Sequence, residues 1–301
     1  MINLGFDIGG TTIKIGVVDE NFNIVKKLNK PTPFRDPDAL VDLIVNTAKE
    51  LAGDEEIRTI GITIPGFVDK DGGIVDAWNI GMWNVPVKQL IWERLKANRI
   101  IVRNDADAAG VAELMAGAMQ GIKTGLLITI GTGFGGALII DGKLFHGGLD
   151  RGTEPGHAVI DRGGRKCACG HHGCIETLCS AMALKRLGER AVDQERGLIA
   201  KRVAEGEELD AKLVIECAKS GDLYANELFD EYTDALADAI ASFVNILDPE
   251  VIAIGGGVSE AGEVLLEPLR RKVPGKTFFG SCGKIVKAVA GNNAGIIGSL
   301  I

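Results

Sequence analysis

The chain has 301 residues, enough for two domains of ordinary size that each bury their own core. It is 46% hydrophobic and 25% charged, the balance of a folded globular protein rather than a disordered or fibrous one. A formal charge of -8 argues against nucleic acid as the main partner, and no apolar run approaches the roughly 20 residues of a membrane span.

Met1 leads within a few residues into an apolar strand with no basic segment ahead of it, so no signal peptide is expected and a cytoplasmic location is. That strand, Ile2 to Phe6, runs into the turn Asp7-Ile-Gly-Gly-Thr-Thr12, then into IKIGVVD and FNIVKKL, a three-stranded antiparallel meander. A helix is predicted from about Asp38 to Leu51, with Asp36 as its cap and Pro37 in its first turn. IRTIGITI follows as a buried strand, then a Pro65-Gly66 turn and a long irregular stretch through WNIGMWNVP. IIVRN is another strand, and Asn104-Asp105 opens a helix rich in Ala and Gly as far as Ala118.

The opening pattern then returns. LLITIGTGFGGALIIDG repeats the order strand, Gly turn, strand, Asp turn, with Ile8 aligned to Ile130, Gly9 to Gly131 and Asp19 to Asp141, all 122 residues apart. The repeat implies a duplicated architecture of two similar domains facing one another, bounded at 1–121 with 291–301 and at 122–290. The rest is predicted helical at about 180–191, 209–218 and 222–246. A strand VIAIGGG, a helix, a strand KIVKAVA and a short helix after Asn293 complete the chain.

Three of the six cysteines, Cys167, Cys169 and Cys174, crowd into CACGHHGC, and His157 lies upstream in GHAVIDRGGRKCACGHHGC. In a reducing compartment clustered thiols bind metal more often than they form lasting disulfides. One His and three Cys make a complete tetrahedral set for a structural Zn²⁺, with no position left open for catalysis. His171 and His172 are rival ligands, and a plain reduced thiol cluster is the alternative. Cys179, Cys217 and Cys282 stand alone and read as small core residues.

Three Gly turns lie at strand ends: Gly9-Gly10, Gly131-Thr132-Gly133 and Gly255-Gly256-Gly257. Backbone N–H groups in such turns form anion-binding concavities that larger side chains would obstruct. None is the Lys-containing phosphate loop or the dinucleotide fingerprint, and each alone reads as an ordinary turn. Together they suit a nucleotide triphosphate.

DIGGTTIK, IPG, NDA, ITIGTGFGG, EPGH, CACGHHGCIE and LDPEVIAIGGG occur in the order seen in the ROK family of sugar kinases and related repressors, and the resemblance covers essentially the whole chain. It implies an α/β actin-like ATPase (ribonuclease H-like) fold. The repressors carry a DNA-binding helix-turn-helix ahead of the kinase-like part; this chain starts at the first strand, so it resembles a kinase of the glucokinase type. The resemblance implies ATP with Mg²⁺ as cofactors and a homodimer or higher homo-oligomer.

Phosphoryl transfer to a sugar hydroxyl needs phosphates held in line, charge neutralised and a base for the hydroxyl proton. The family places its base at the Asp of NDA, here Asp105, which on its own would read equally as a helix cap. By resemblance Asn104, Asp105 itself, Glu154, His157 and Glu176 contact the sugar, and Gly66 and Asn79 resemble further sugar contacts. The same resemblance assigns Gly9, Gly10, Thr11, Thr12 and Lys14 to the first phosphate loop, although Lys14 alone would read as a solvated strand residue. Gly131, Thr132 and Gly133 form the second loop, Gly255, Gly256 and Gly257 lie beside the adenosine, and Asp7 is the carboxylate nearest Mg²⁺. Imidazole has two nitrogens, so His157 is expected to reach zinc through one and sugar through the other. Glucose is the expected substrate, with N-acetylmannosamine, N-acetylglucosamine, fructose or allose as alternatives under the same mechanism. A non-catalytic sugar sensor is the other possibility.

Overall fold

In the computed structural model, residues 1–69, 73–77, 80–149 and 151–301 are described, and Asn79 lies outside them. By internal contacts the chain forms two units: Met1–Gln120 with Leu144–Thr153 and Ala290–Ile301, and Gly121–Lys143 with Glu154–Val289. Leu144–Thr153, which the sequence boundaries put in the second half, groups with the first. Its His146 Nδ1 lies 3.7 Å from Asp107 Oδ2, and Asp107 belongs to that unit.

The first unit is built on β1 (Ile2–Ile8), β2 (Thr12–Val18), β3 (Ile24–Pro31), β4 (Ile57–Ile64) and β8 (Arg99–Asn104), in the sheet order β3-β2-β1-β4-β8. The meander β1–β3 is antiparallel, while β1, β4 and β8 run parallel. The central strands are apolar almost throughout because both faces are covered. Leu4, Phe6, Ile60, Ile62 and Ile64 are fully buried.

Helix α1 (Pro37–Ala52) buries Leu40, Val41, Ile44, Val45 and Ala48 at the three- and four-residue spacing of one helical face. Asp36 caps it, accepting the Ala39 N–H at 2.9 Å. The terminal helix α10 (Ala294–Gly298) lies against the sheet, and a Cβ at Gly5 would fall 2.5 Å from the Ile296 carbonyl oxygen. Glycine there lets α10 approach.

The described residues in and around the stretch expected to be irregular carry regular structure instead. They form a small sheet of β5 (Phe67–Val68), β6 (Val75–Ala77) and β7 (Met82–Val85), followed by α2 (Val87–Arg94). Strands of two to four residues are too short for alternation to show in sequence.

The second unit repeats the plan with β9 (Gly125–Ile130), β10 (Phe134–Ile140), β11 (Lys143–Leu144, its last residue in the first unit), β12 (Val251–Gly255) and β13 (Lys284–Lys287). Their order is β11-β10-β9-β12-β13, strand for strand the order of the first sheet. One difference is local. Ile8 pairs with Ile13, whereas Ile130 pairs with Phe134, so the second hairpin closes one residue tighter than a constant 122-residue offset would give.

Helices α4 (Glu176–Cys179), α5 (Ala181–Asp193), α6 (Gly197–Ala204), α7 (Ala211–Lys219), α8 (Leu223–Leu247) and α9 (Glu263–Lys276) pack in this unit, and α4 and α6 were not anticipated. Tyr232 on α8 is 1% exposed, and its hydroxyl donates to the Cys179 carbonyl at 2.6 Å. Cys179 and Cys217 are buried as expected, while Cys282 is only partly so. Among the described residues no helix is long and apolar enough to cross a membrane.

Candidate active site and metal centre

In the first unit, β8 ends where α3 (Asp105–Ala116) begins, and the residue at the junction is Asn104. Its Oδ1 accepts the N–H groups of Ala106 at 2.8 Å and Asp107 at 3.2 Å. Its Nδ2 donates to the Gly66 carbonyl at 2.8 Å. The cap of α3 is therefore Asn104. Asp105 sits at the first helical position, exposed, with Oδ1 accepting the Ala106 N–H at 2.9 Å. A carboxylate in that place faces the positive end of the helix dipole. Gly66 has φ 139°, in a region that side chains avoid, and a Cβ there would run into the Asp76 carbonyl.

The first Gly turn is closed by Gly9 N–H donating to the Thr12 carbonyl at 3.0 Å and buttressed by Thr32, whose hydroxyl donates to the Gly9 carbonyl at 2.8 Å. Gly10, Thr11 and Thr12 are exposed, and nothing lies within 4 Å of where a Gly10 Cβ would stand. Asp7 is held at both oxygens: Thr63 donates to Oδ1 at 3.0 Å and Lys14 Nζ to Oδ2 at 3.2 Å. Lys14 thus has a charged partner rather than only solvent. A Cβ at Gly295 would fall 2.5 Å from the Asp7 carboxyl carbon, so glycine gives this carboxylate its room.

In the second unit, Gly131 N–H donates to the Gly133 carbonyl at 3.1 Å, and the Gly131 carbonyl accepts the Ala181 N–H at 2.8 Å. Glu176 backs the turn. Its Oε2 accepts the Phe134 N–H at 3.1 Å and would stand 2.5 Å from any Cβ at Gly133. Its Oε1 lies 3.5 Å from Cys167 Sγ.

Gly255 ends β12, Gly256 turns at φ 79°, and Gly257 opens a short 3-10 turn. A cavity of about 670 Å³ brings Gly131 and Thr132 together with Gly257, over an apolar wall that includes Met182, Ile215 and Val258. Gly133, Gly255 and Gly256 are not on its surface. The three apolar wall residues were not foreseen, since in sequence each is an ordinary apolar residue of a helix or turn.

The loop from Glu154 to Cys174 carries the thiol cluster. Glu154 is exposed, and Pro155–His157 forms one 3-10 turn whose Gly156 is pressed against the Phe134 carbonyl. Gly170 at φ 96° and Gly173 at φ 73° let the backbone fold back. Cys167 N–H donates to the His171 carbonyl at 2.7 Å, and Gly173 N–H to the Arg165 carbonyl at 2.9 Å.

One ligand atom each from His157, Cys167, Cys169 and Cys174 falls within 4.8 Å of every other. Cys169 Sγ and Cys174 Sγ are 3.6 Å apart, and Cys167 Sγ is 3.7 Å from His157 Nδ1. Tetrahedral bonds of about 2.3 Å to sulfur and 2.0 Å to nitrogen give edges of roughly 3.5–3.8 Å. The set fits a zinc ion.

Burial pushes the Cys174 thiol up to about 12 and Cys167 upward as well, while hydrogen bonds with His171, backbone before side chain, bring Cys169 down to about 6. A dication would supply what the buried thiolates lack. His171 and His172 are exposed, yet His171 Nδ1 approaches Cys169 Sγ at 3.6 Å, so it braces the cluster from outside. With His157 Nδ1 turned to the sulfurs, Nε2 is left on the opposite edge of the ring.

A family model described as ROK family matches residues 3–301. The chain is 36% identical to a glucokinase of Thermotoga maritima, over 98% of this chain and 95% of that one. It is 37% identical to a glucokinase of Halalkalibacterium halodurans, over 98% and 92%. Among solved structures, a ROK family glucokinase from Streptomyces griseus in complex with glucose and AMPPNP superposes with a TM-score of 0.84. That pair shares 30% identity over 100% of this chain and 98% of the other. The duplicated sheet with Gly turns at its strand ends, the acid at the head of α3 and the Cys₃His loop all fall within this match, and the chain belongs to the ROK family.

Proposed function

We propose that the protein is an ATP-dependent glucokinase, transferring the terminal phosphoryl group of ATP to glucose to give glucose 6-phosphate. The observation that carries this reading is the head of α3. The amide of Asn104 performs the capping, so the acid at the first helical position, Asp105, is not needed as the cap. In a chain similar end to end to glucokinases, it serves as general base, taking the proton of the attacking hydroxyl as the phosphoryl group arrives.

Asn104, Asp105, Glu154, His157 through Nε2, and Glu176 bind sugar hydroxyls, and Gly66 and Asn79 are taken as further sugar contacts. The exposed turn Gly9–Thr12 with Lys14, and the turn Gly131–Gly133, present backbone N–H groups to the phosphates. The apolar wall beside Gly255–Gly257 takes the adenine. Asp7, oriented by Lys14 and Thr63, would hold Mg²⁺ through water, and that ion would neutralise phosphate charge. His157, Cys167, Cys169 and Cys174 would hold structural zinc, bracing the loop between Glu154 and Glu176.

We take the two units as the protein's two domains, and the protein as a cytoplasmic homo-oligomer. Light scattering after size exclusion reads the oligomeric state. The functional test is a coupled ADP-release assay across glucose, fructose, allose, N-acetylglucosamine and N-acetylmannosamine. Glucose should give the highest kcat/KM. A higher value for an N-acylated sugar would reassign the substrate, and no sugar-dependent release at all would favour a sensor.

A further inference from the structure

The chain passes between its two units at four places: Gln120/Gly121, Lys143/Leu144, Thr153/Glu154 and Val289/Ala290. Two buried acids of α3, neither used in the chemistry above, lie beside these places. Glu113 is 1% exposed. Its Oε2 accepts the Ala118 N–H and its Oε1 the Ala290 N–H, both at 2.7 Å. Its carbonyl oxygen accepts the N–H groups of Gly117 and Met119 as well. Ala118 stands just before the first crossing, and Ala290 is the first residue after the last. One carboxylate therefore holds the outgoing and the returning chain on the same turn of helix.

The other acid, Asp107, is 8% exposed and lies 3.7 Å from His146. His146 belongs to Leu144–Thr153, the excursion between the remaining two crossings, and its carbonyl accepts the Gly152 N–H at 2.8 Å.

We propose that α3 is the anchor for the crossings between the units, with Glu113 as its principal pin, a positioning residue for the kinase reaction. A buried carboxylate bonded to two backbone N–H groups resists distortion more than an apolar contact would, because breaking either bond leaves a buried charge short of a donor. Chain pinned at Ala118 and Ala290 bends only beyond those points, so the hinge is confined to a few residues. The same helix carries Asp105 at its other end. Fixing the chain at Ala118 and Ala290 to α3 thereby fixes the start of each connection relative to the base. The kinetic part of this proposal rests on the glucokinase reading.

Two variants test it in the full-length protein. Glu113→Gln keeps the volume but turns an NH₂ toward one of the two backbone donors. Ala290→Pro removes one donor and leaves Glu113 in place, and the native φ of -65° suits the ring. Amide hydrogen exchange in peptides covering 114–121 and 288–293 reports the pin directly. The ratio of glucose-dependent turnover to ATP hydrolysis without sugar reports its consequence.

Exchange is expected to rise about ten-fold in these peptides and not elsewhere. The turnover ratio is expected to fall about ten-fold with glucose KM changed by less than about three-fold. A merely structural role would lower both rates together, in proportion to the folded fraction. Unchanged exchange, or an unchanged ratio in the folded variants, would overturn the proposal. If Glu113→Gln does not fold, Ala290→Pro decides by the same readouts. If the parent shows no glucose-dependent turnover, the glucokinase reading fails, and exchange alone decides the anchor.

Discussion

The two sheets have the same strand order and are unlike in what they carry. After its fourth strand the first sheet turns at Gly66, whose carbonyl is gripped by Asn104; after its fourth strand the second turns at Gly256, beside the cavity that Gly257 lines. After the first hairpin strand the first sheet has an exposed turn held by Thr32, whereas the second has a turn backed by Glu176 and, through it, by Cys167. The scaffold positions at the carboxyl ends of parallel strands recur, and the side chains behind them do not. Duplication supplied two frames. The acid Asp105 heads a helix in one, and the Cys₃His loop lies in the other.

That division makes the largest expected effect a first-unit one. Asp105→Asn keeps shape and the bond to Ala106 but cannot take a proton, so kcat should fall by roughly 10²–10⁴-fold. Glucose affinity by calorimetry should change little, because Asn keeps the shape and a hydrogen-bonding group in that place. A near-parent kcat would place the base elsewhere.

The matching second-unit experiment is Cys169→Ser. One of four ligands goes, and zinc content should drop from about one per chain toward none. Glucose KM should rise by about 10–100-fold, since outer support of a site typically matters by that factor, while kcat at saturating sugar falls less than in Asp105→Asn. Metal analysis with sugar titration checks it. A zinc-free protein with parent affinity would separate the metal from the sugar ligands.

The sequence disclosed the frames better than the fittings. Ile8/Ile130 and Asp19/Asp141 revealed the duplication because a strand–turn–strand unit leaves apolar runs and Gly at fixed spacing. The cap Asp36 was visible for the same local reason, whereas at the head of α3 the cap is Asn104 rather than its neighbour Asp105. The β5–β7 sheet was not visible, because its strands are too short for periodicity. Nor were Met182, Ile215 and Val258, whose meeting at one cavity depends on how α5, α7 and the turn after β12 pack. Glu176 was assigned only to sugar, and its bond to Phe134 N–H could not be foreseen, since that contact joins residues 42 positions apart. Nor does the sequence carry any sign that two distant backbone donors converge on Glu113.

The two phosphate turns sharpen the comparison at smaller cost. Gly10→Ala meets nothing within 4 Å, so thermal stability should stay within about a degree while the methyl crowds the phosphate approach. KM for ATP should rise about ten-fold, equivalent to roughly 1.4 kcal/mol, with glucose KM unchanged. Gly133→Ala instead puts a Cβ 2.5 Å from Glu176 Oε2, the end of a flexible side chain that must move aside. In that variant KM for ATP and glucose should rise together, because the carboxylate that backs the turn is also the proposed sugar ligand. Identical patterns in the two variants would show that Glu176 does not couple them.

The smallest expected effect is a stability difference at high pH. All six cysteines lie in the second unit. There Cys179 is held above its ordinary value of 9.0 by burial first and by the charge of Asp238 second. Tyr232, whose hydroxyl donates to the Cys179 carbonyl, is likewise raised above 10.0, chiefly by burial. A raised folded pKa means that the unfolded chain loses its proton first. The stabilisation is thus complete below the unfolded values and is lost as pH rises beyond them toward the folded ones. Between about pH 9 and 11 the second unit should therefore lose stability faster than the first. Two-probe denaturation checks this. Near-ultraviolet circular dichroism follows Trp83 and Trp92 of the first unit, and amide hydrogen exchange in peptides covering α8 follows the second. The Tyr232→Phe variant, which cannot ionise, should narrow the gap; equal loss in both units for parent and variant would mean that the buried thiol and phenol do not set the alkaline limit.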